Sequence, residues 1–291
     1  MTRPNDITWI KRREGPVLDD RHGVLFDVCM LKEDGRYQMW VSWKDHGIGL
    51  VESADGLAWS DPILVLPPAP TGWEDEVNRP IVVRHGSEYR MWYTGQTATS
   101  SDIGYATSPD GLVWTRRDEP VLRPTQPWEA EGLMCPHVLW EDGTWRMWYS
   151  GGGLEEPVAI GHATSPDGID WTKHAANPVI APNPGVSWER ERATGAQIVP
   201  HDGGYLAFYI GFEDIDTARI GLARSRDGVT GWERHPANPI VVPTPGGWDA
   251  DACYKPFALL EDGGWRLWYN GRREDDEQIG LVTHEGEDLG F

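Results

Sequence analysis

The chain has 291 residues, a length one all-β domain can fill, and its 17 Trp, 34 Gly and 23 Pro predict tight turns between aromatic-filled sheets rather than helices. A formal charge of −20 repels phosphate backbones and anionic lipid headgroups, which argues against nucleic acid and membranes as partners, and no run of about 18 apolar residues is present to span a bilayer. Cys29, Cys135 and Cys253 form no CxxC pair and are odd in number, so they predict buried thiols; together with the polar segment Met1 to Arg13 they predict a cytoplasmic protein.

From the N-terminus, ITWIKRREGPVL (Ile7 to Leu18) matches LVWTRRDEPVL (Leu112 to Leu122), and between and beyond them one unit recurs. Its most regular part reads QMWVSW (Gln38 to Trp43), RMWYTG (Arg90 to Gly95), RMWYSG (Arg146 to Gly151), LAFYIG (Leu206 to Gly211) and RLWYNG (Arg266 to Gly271). Successive copies lie 52, 56, 60 and 60 residues apart, which suits four short strands with their turns. Each unit predicts an apolar strand, a DG turn, the MWY strand, a variable loop, an IGxATS strand and a Ser-x-Asp-Gly turn. That second turn begins at Ser53, Ser108, Ser165 and Ser225 and leads to Trp59, Trp114, Trp171 and Trp232 on an outer strand. It resembles the Asp box of sialidases, and its occurrence once per unit predicts a fold-building role.

The fifth copy ends at IGLVTHE (Ile279 to Glu285) without an outer strand, which the segment Ile7 to Leu18 supplies. The predicted fold is therefore an all-β, five-bladed β-propeller of four-stranded antiparallel blades over residues 1–291, one domain, its ring closed by the N-terminal strand.

Short DG turns occupy one face of such a ring, and the sequences that differ between copies occupy the other. Eleven residues before each aligned Met, Ala or Leu stand Val28, Pro80, Pro136, Ala196 and Pro256. The residues just before them are Asp27, Arg79, Cys135, Gly195 and Lys255, and one step earlier stand Phe26, Asn78, Met134, Thr194 and Tyr254. A scaffold position that repeats in structure but not in chemistry predicts a ligand funnel at the axis. Upstream, Trp-acid-x-acid recurs at Trp73, Trp128, Trp188 and Trp248. Recurrence assigns it a structural task, with the acid accepting loop N–H groups and the Trp sealing between blades. One of its acids, Glu131 in the third blade, is the candidate recruited to chemistry.

These features resemble the five-bladed propellers of glycoside hydrolase families 32, 43, 68, 117 and 130 over essentially the whole chain. The resemblance implies a nucleophile or general base on the first inner strand, where Asp27 stands in Leu-Phe-Asp-Val. At the second acidic position the triplet is Asn78-Arg79-Pro80, and at the third Met134-Cys135-Pro136 keeps Cys-Pro without the acid. Hydrolysis needs two carboxyls across the bond, so a partner for Asp27 is sought in Glu131, with Glu155, Glu156 and Glu213 as further candidates. His137 follows as a family 117-like acid or, by strand alternation, as a packed, hydrogen-bonded residue. His22, His46 and His137 lack zinc-site spacing, and neither metal nor cofactor is expected.

Substrate contacts are expected from Trp43 as an apolar plate, from Asp45 and His46 beside it, and from Asn78, Arg79, Met134, Cys135, His137, Thr194, Tyr254 and Lys255. Tyr254, Lys255, Arg272 and Arg273 suggest an anionic or carboxylated ligand, or else ion pairs with Glu274, Asp275 and Asp276. The reading is a glycosidase-like enzyme acting on a glycoside or sugar-like small molecule. A lyase, isomerase or cyclase on the same scaffold, and a non-catalytic sugar-binding propeller, are the alternatives, and the oligomeric state is left open.

Overall fold

Strands whose faces both meet neighbouring sheets must be apolar on both, and the MWY segments have that property: Met91, Trp92 and Tyr93 are all completely buried. In the computed structural model, which describes residues 8–69 and 72–291, each MWY segment is the second strand of a four-stranded antiparallel unit. Ile7 of the N-terminal segment lies outside the described residues. The inner strands are Leu25–Glu33, Glu76–His85, Gly132–Glu141, Arg192–His201 and Ala252–Glu261. They contact one another in cyclic order, first to second and so on round to fifth and first. The second and third units are further joined edge to edge through Gly132 and Ser101.

The ring closes as the repeat predicts. Ile10–Lys11 pairs antiparallel with Asp276–Glu285, placing Ile10 opposite Thr283, and Val17 N–H donates to Ile279 O at 2.8 Å. The N-terminal strand is thus the outer strand of the last blade, which leaves no unpaired strand edge at the join.

The Ser-x-Asp-Gly turns of the first four blades each fasten their blade to the one before it in the ring. In the second blade Ser108 Oγ accepts the Gly111 N–H at 2.9 Å, and Asp110 Oδ1 accepts the Leu112 and Val113 N–H groups, both at 2.9 Å. The Val113 and Leu112 N–H groups hold the Asp110 carboxyl below the usual carboxylate range. With its own polar groups satisfied, the turn presents Gly111 O to the Trp40 indole N–H of the first blade at 3.2 Å. Trp92 to Gly168, Trp148 to Gly228 and Trp268 to Gly56 repeat this clasp at 2.8, 2.7 and 3.0 Å. The fifth blade has no such turn, and the fourth blade carries Phe208 where the others carry Trp.

The Trp-acid pairs are structural, with one change from expectation: the Trp seals its own blade rather than the gap between blades. Trp128 stacks on Tyr149 of the same blade at 5.9 Å and covers Gly151 and Gly161, where an added Cβ would come within 2.7 and 2.8 Å of the indole. The glycines of the WYxG and IG segments are therefore required by the ring above them. The buried Glu129 accepts Tyr149 Oη–H at 2.7 Å and Lys173 Nζ–H at 2.6 Å, together with the Thr125 and Gln126 N–H groups. Glu74 with Tyr93 and Arg116, Glu189 with Tyr209 and Arg234, and Asp249 with Tyr269 and Lys11 repeat the arrangement.

Burial alone would raise the Glu129 pKa, but Lys173 and the N–H and O–H donors outweigh it and hold the carboxyl below its ordinary value. Glu129→Ala takes the carboxylate from Lys173, leaving it only the neutral acceptors Arg123 O and Thr125 Oγ1, and is expected to cost about 3–5 kcal/mol in urea unfolding at neutral pH. A depressed folded-state pKa gives stability that is complete above the unfolded value and lost as pH falls through the folded one. The difference between wild type and variant should accordingly shrink below about pH 4.

Candidate functional site

All five inner strands break register at the same place, between Phe26 and Cys29, Asn78 and Ile81, Met134 and His137, Thr194 and Gln197, and Tyr254 and Phe257. At each break one residue is left-handed: Asp27 (φ 58°), Arg79 (53°), Cys135 (53°), Gly195 (57°) and Lys255 (47°). A bulge of this kind redirects a side chain out of the pleat, and a non-glycine residue there carries strain of order 1–3 kcal/mol. The non-repeating ring found in the sequence is therefore a repeated backbone device bearing different chemistry.

The strain is held by a bond from the preceding blade. The N–H of Arg79 donates to Ser42 Oγ at 2.7 Å, that of Cys135 to Thr94 Oγ1 at 3.2 Å, that of Gly195 to Ser150 Oγ at 2.9 Å, and that of Asp27 to Asn270 Oδ1 at 3.2 Å. At the fifth step the equivalent residue is Ile210, which has no acceptor to offer Lys255. Ser42, Thr94, Ser150 and Asn270 were missed in the sequence, although a polar residue after the MWY triplet in four of five copies was the available signal.

Asp27 is 2% exposed. Its Oδ2 accepts Ser42 Oγ–H at 2.7 Å and its Oδ1 lies 3.8 Å from Lys255 Nζ, so one serine orders both the carboxylate and the Arg79 backbone. Arg79 Nη1 donates to Asn78 Oδ1 at 2.9 Å and to Gln96 Oε1 at 3.0 Å. Gln96 also accepts Asn78 Nδ2–H at 2.7 Å and donates to Leu154 O at 3.4 Å, tying this network to the loop that carries Glu156. Burial works against the Arg79 charge, but Asp27 and Glu156 favour it and the net pKa is raised. Burial pushes the Glu156 carboxyl up and Asp27 adds to the effect, with Arg79 and Lys255 opposing. Glu277 is likewise raised by burial and by Asp27, although it accepts the Tyr254 hydroxyl, whose own pKa is pushed well up by burial and by Glu277.

Glu156 and Glu277 are thus the carboxyls coupled electrostatically to Asp27. Glu131 is exposed, as are its equivalents Glu76, Glu191 and Asp251, each at the very start of its inner strand or one residue before it. Trp43 is half-buried and lines the cavity at the funnel mouth, with part of its ring taken up by packing. His46 stacks on one side at 4.4 Å, Gly49 lies on its ring, and its indole N–H is bound to His22 O at 2.9 Å. His46 and Asp45 are exposed and line, with Asn78, Glu76 and Glu277, the same cavity of about 450 Å³.

His137 is the packed alternative: its Nε2–H donates to Ile198 O of the next blade at 2.9 Å, and burial pushes its pKa down to about 4. Met134 and Thr194 are buried behind the ring, while Cys135, Lys255 and the prolines beneath line a narrow axial cavity of about 30 Å³. Arg272 is held at Asp216 O at 2.6 Å, rather than by Glu274, Asp275 or Asp276.

No family model matches the chain. Among curated proteins it is 27% identical over 192 residues to a 1,2-beta-oligomannan phosphorylase of Thermoanaerobacter sp. (strain X514), covering 65% of this chain and 59% of that protein. The chain spans about half the length of the curated relatives it matches. Among solved structures, a beta-1,2-mannobiose phosphorylase from Listeria innocua, in complex with beta-1,2-mannobiose, superposes with a TM-score of 0.77 at 13% identity over 97% of this chain and 98% of that one. A thermostable family-43 glycoside hydrolase superposes with a TM-score of 0.75 at 18% identity over 91% of each chain.

Proposed function

We propose, from the premise that this chain belongs by fold and sequence neighbours to the five-bladed β-propeller glycoside hydrolase superfamily, that it cleaves a glycosidic bond over Asp27. Asp27 acts as general base or nucleophile, and Glu156 replaces Glu131 as the acid that protonates the leaving oxygen. The observation that carries this reading is the pairing of a buried, serine-ordered carboxylate with a second carboxyl whose pKa is raised, in one funnel. Glycoside cleavage divides its labour between an acid that gives up a proton and a second carboxyl that acts as base or nucleophile, and a raised pKa suits Glu156 to the first task. Arg79 and Lys255 orient the substrate and balance charge as it develops.

The test is a screen of aryl glycosides and oligosaccharides in the presence and absence of inorganic phosphate, with ¹⁸O-labelled water identifying water as the acceptor. An acid must be protonated to act, so kcat/KM should fall as pH rises through the raised Glu156 pKa. Glu156→Gln should flatten that limb and slow poor leaving groups by about 10²–10⁴, while activated aryl glycosides lose less. An unchanged alkaline limb in the variant removes Glu156 from the reaction. Product formed without uptake of either water or phosphate favours a lyase or isomerase instead.

A further inference from the structure

The ring around Asp27 holds more hydrogen-bond donors than the protein uses. Lys255 Nζ makes no hydrogen bond among the described residues; its ion-pair partner, Asp27 Oδ1, is 3.8 Å away, beyond hydrogen-bond reach. Its backbone N–H lacks the acceptor found at the other four ring positions, because Ile210 stands where they have Ser, Thr or Asn. Arg79 commits only Nη1 of its side chain, to Asn78 and Gln96. Thr194 Oγ1, in a residue 1% exposed, and Asn270 Nδ2, in a residue 0% exposed, are buried without any partner. Asn270 holds the Asp27 N–H, and an added Cβ on Gly195, next to Thr194, would lie 3.6 Å from Lys255 Cδ, so these groups belong to one neighbourhood.

Unpaired buried donors are costly unless a ligand supplies acceptors. We infer that the funnel is built for a sugar bearing a carboxylate, a uronic acid residue, with that group held by the uncommitted donors of Lys255 and Arg79. The inference rests on the reading of this funnel as the glycoside-cleaving site. A planar carboxylate matches the open edge of the Arg79 guanidinium and accepts from the lysine at once.

Monosaccharides separate this inference from catalysis, since they contain no bond to cleave. Calorimetric titration of the intact protein with galacturonate, glucuronate and mannuronate, against galactose, glucose and mannose, should show at least one acid bound about tenfold or more tightly than its neutral counterpart. The preference should weaken with added sodium chloride. Lys255→Gly keeps a residue suited to the left-handed backbone and should abolish the preference, whereas Lys255→Arg should retain it. Equal or tighter binding of all the neutral sugars overturns the inference, as does inorganic phosphate alone taking up the Lys255-dependent binding while no uronate does. In either case glycosidase activity on neutral substrates would leave the catalytic reading standing.

Discussion

Asp27→Asn should lower kcat/KM by about 10³ or more on any glycoside the protein turns over, with little change in its unfolding midpoint. The loss has the size expected when a general base or nucleophile is removed. The fold is spared for two reasons. Asn is among the residues that best tolerate the left-handed conformation found at position 27 (φ 58°), and its carbonyl oxygen can still accept the Ser42 hydroxyl that Oδ2 accepts at 2.7 Å. Steady-state rates and circular dichroism melts of the two proteins check both halves. Undiminished turnover removes Asp27 from the mechanism; loss of turnover accompanied by unfolding leaves a structural role as the explanation.

A large effect on stability is expected at the clasps between blades. Trp92 is fully buried, packs on Trp145 with ring centroids 5.0 Å apart, and donates to Gly168 O at 2.8 Å. Trp92→Ala removes ring and bond together and should cost about 3–5 kcal/mol, a large part of the roughly 5–15 kcal/mol that holds a typical domain. Trp92→Phe keeps most of the packing and removes one of the two indole donors on the Gly168 carbonyl, Trp171 remaining at 3.1 Å, for a cost of about 0.5–1.5 kcal/mol. Phe208→Trp should gain little, because the fifth blade has no Ser-x-Asp-Gly turn to receive the indole N–H. Denaturant midpoints of the three variants read these differences. A cost below about 1 kcal/mol for Trp92→Ala would show that the clasps are not what holds adjacent blades.

The blade repeat was legible because strand, turn and clasp each demand particular residues: Asp-Gly for the turn, Trp to reach its carbonyl, Gly beneath Trp128. The site was legible in part, by subtraction. The ring from Asp27 to Lys255 stood out as the column that failed to repeat, and the same comparison along the third strand would have found Glu277. Its equivalents are His46, Ser101, Val158 and Ala218, and it is the lone acid among them. Glu156 could be named only as one candidate of several, since it sits in a loop whose path no repeat specifies. Trp43 carries a packing task besides its place at the funnel mouth: the first blade lacks the Trp-acid motif, and its aromatic ring packs on Gly49 instead.

The left-handed ring makes backbone shape and side-chain chemistry separable, much as a set of identical sockets accepts different tools. Four sockets are wired alike, from the hydroxyl or amide of the previous blade to the N–H of the next, so their occupants can change without altering the mould. The fourth position is tighter, since a Cβ on Gly195 would come within 2.5 Å of Ile210 Cδ1 and the Ile side chain would have to turn aside. Installing a new acid there calls for a paired change, Gly195→Asp with Ile210→Ser, and the incoming serine would offer the Lys255 N–H the acceptor it now lacks. A scaffold of this kind acquires new chemistry two residues at a time at that junction and one residue at a time elsewhere.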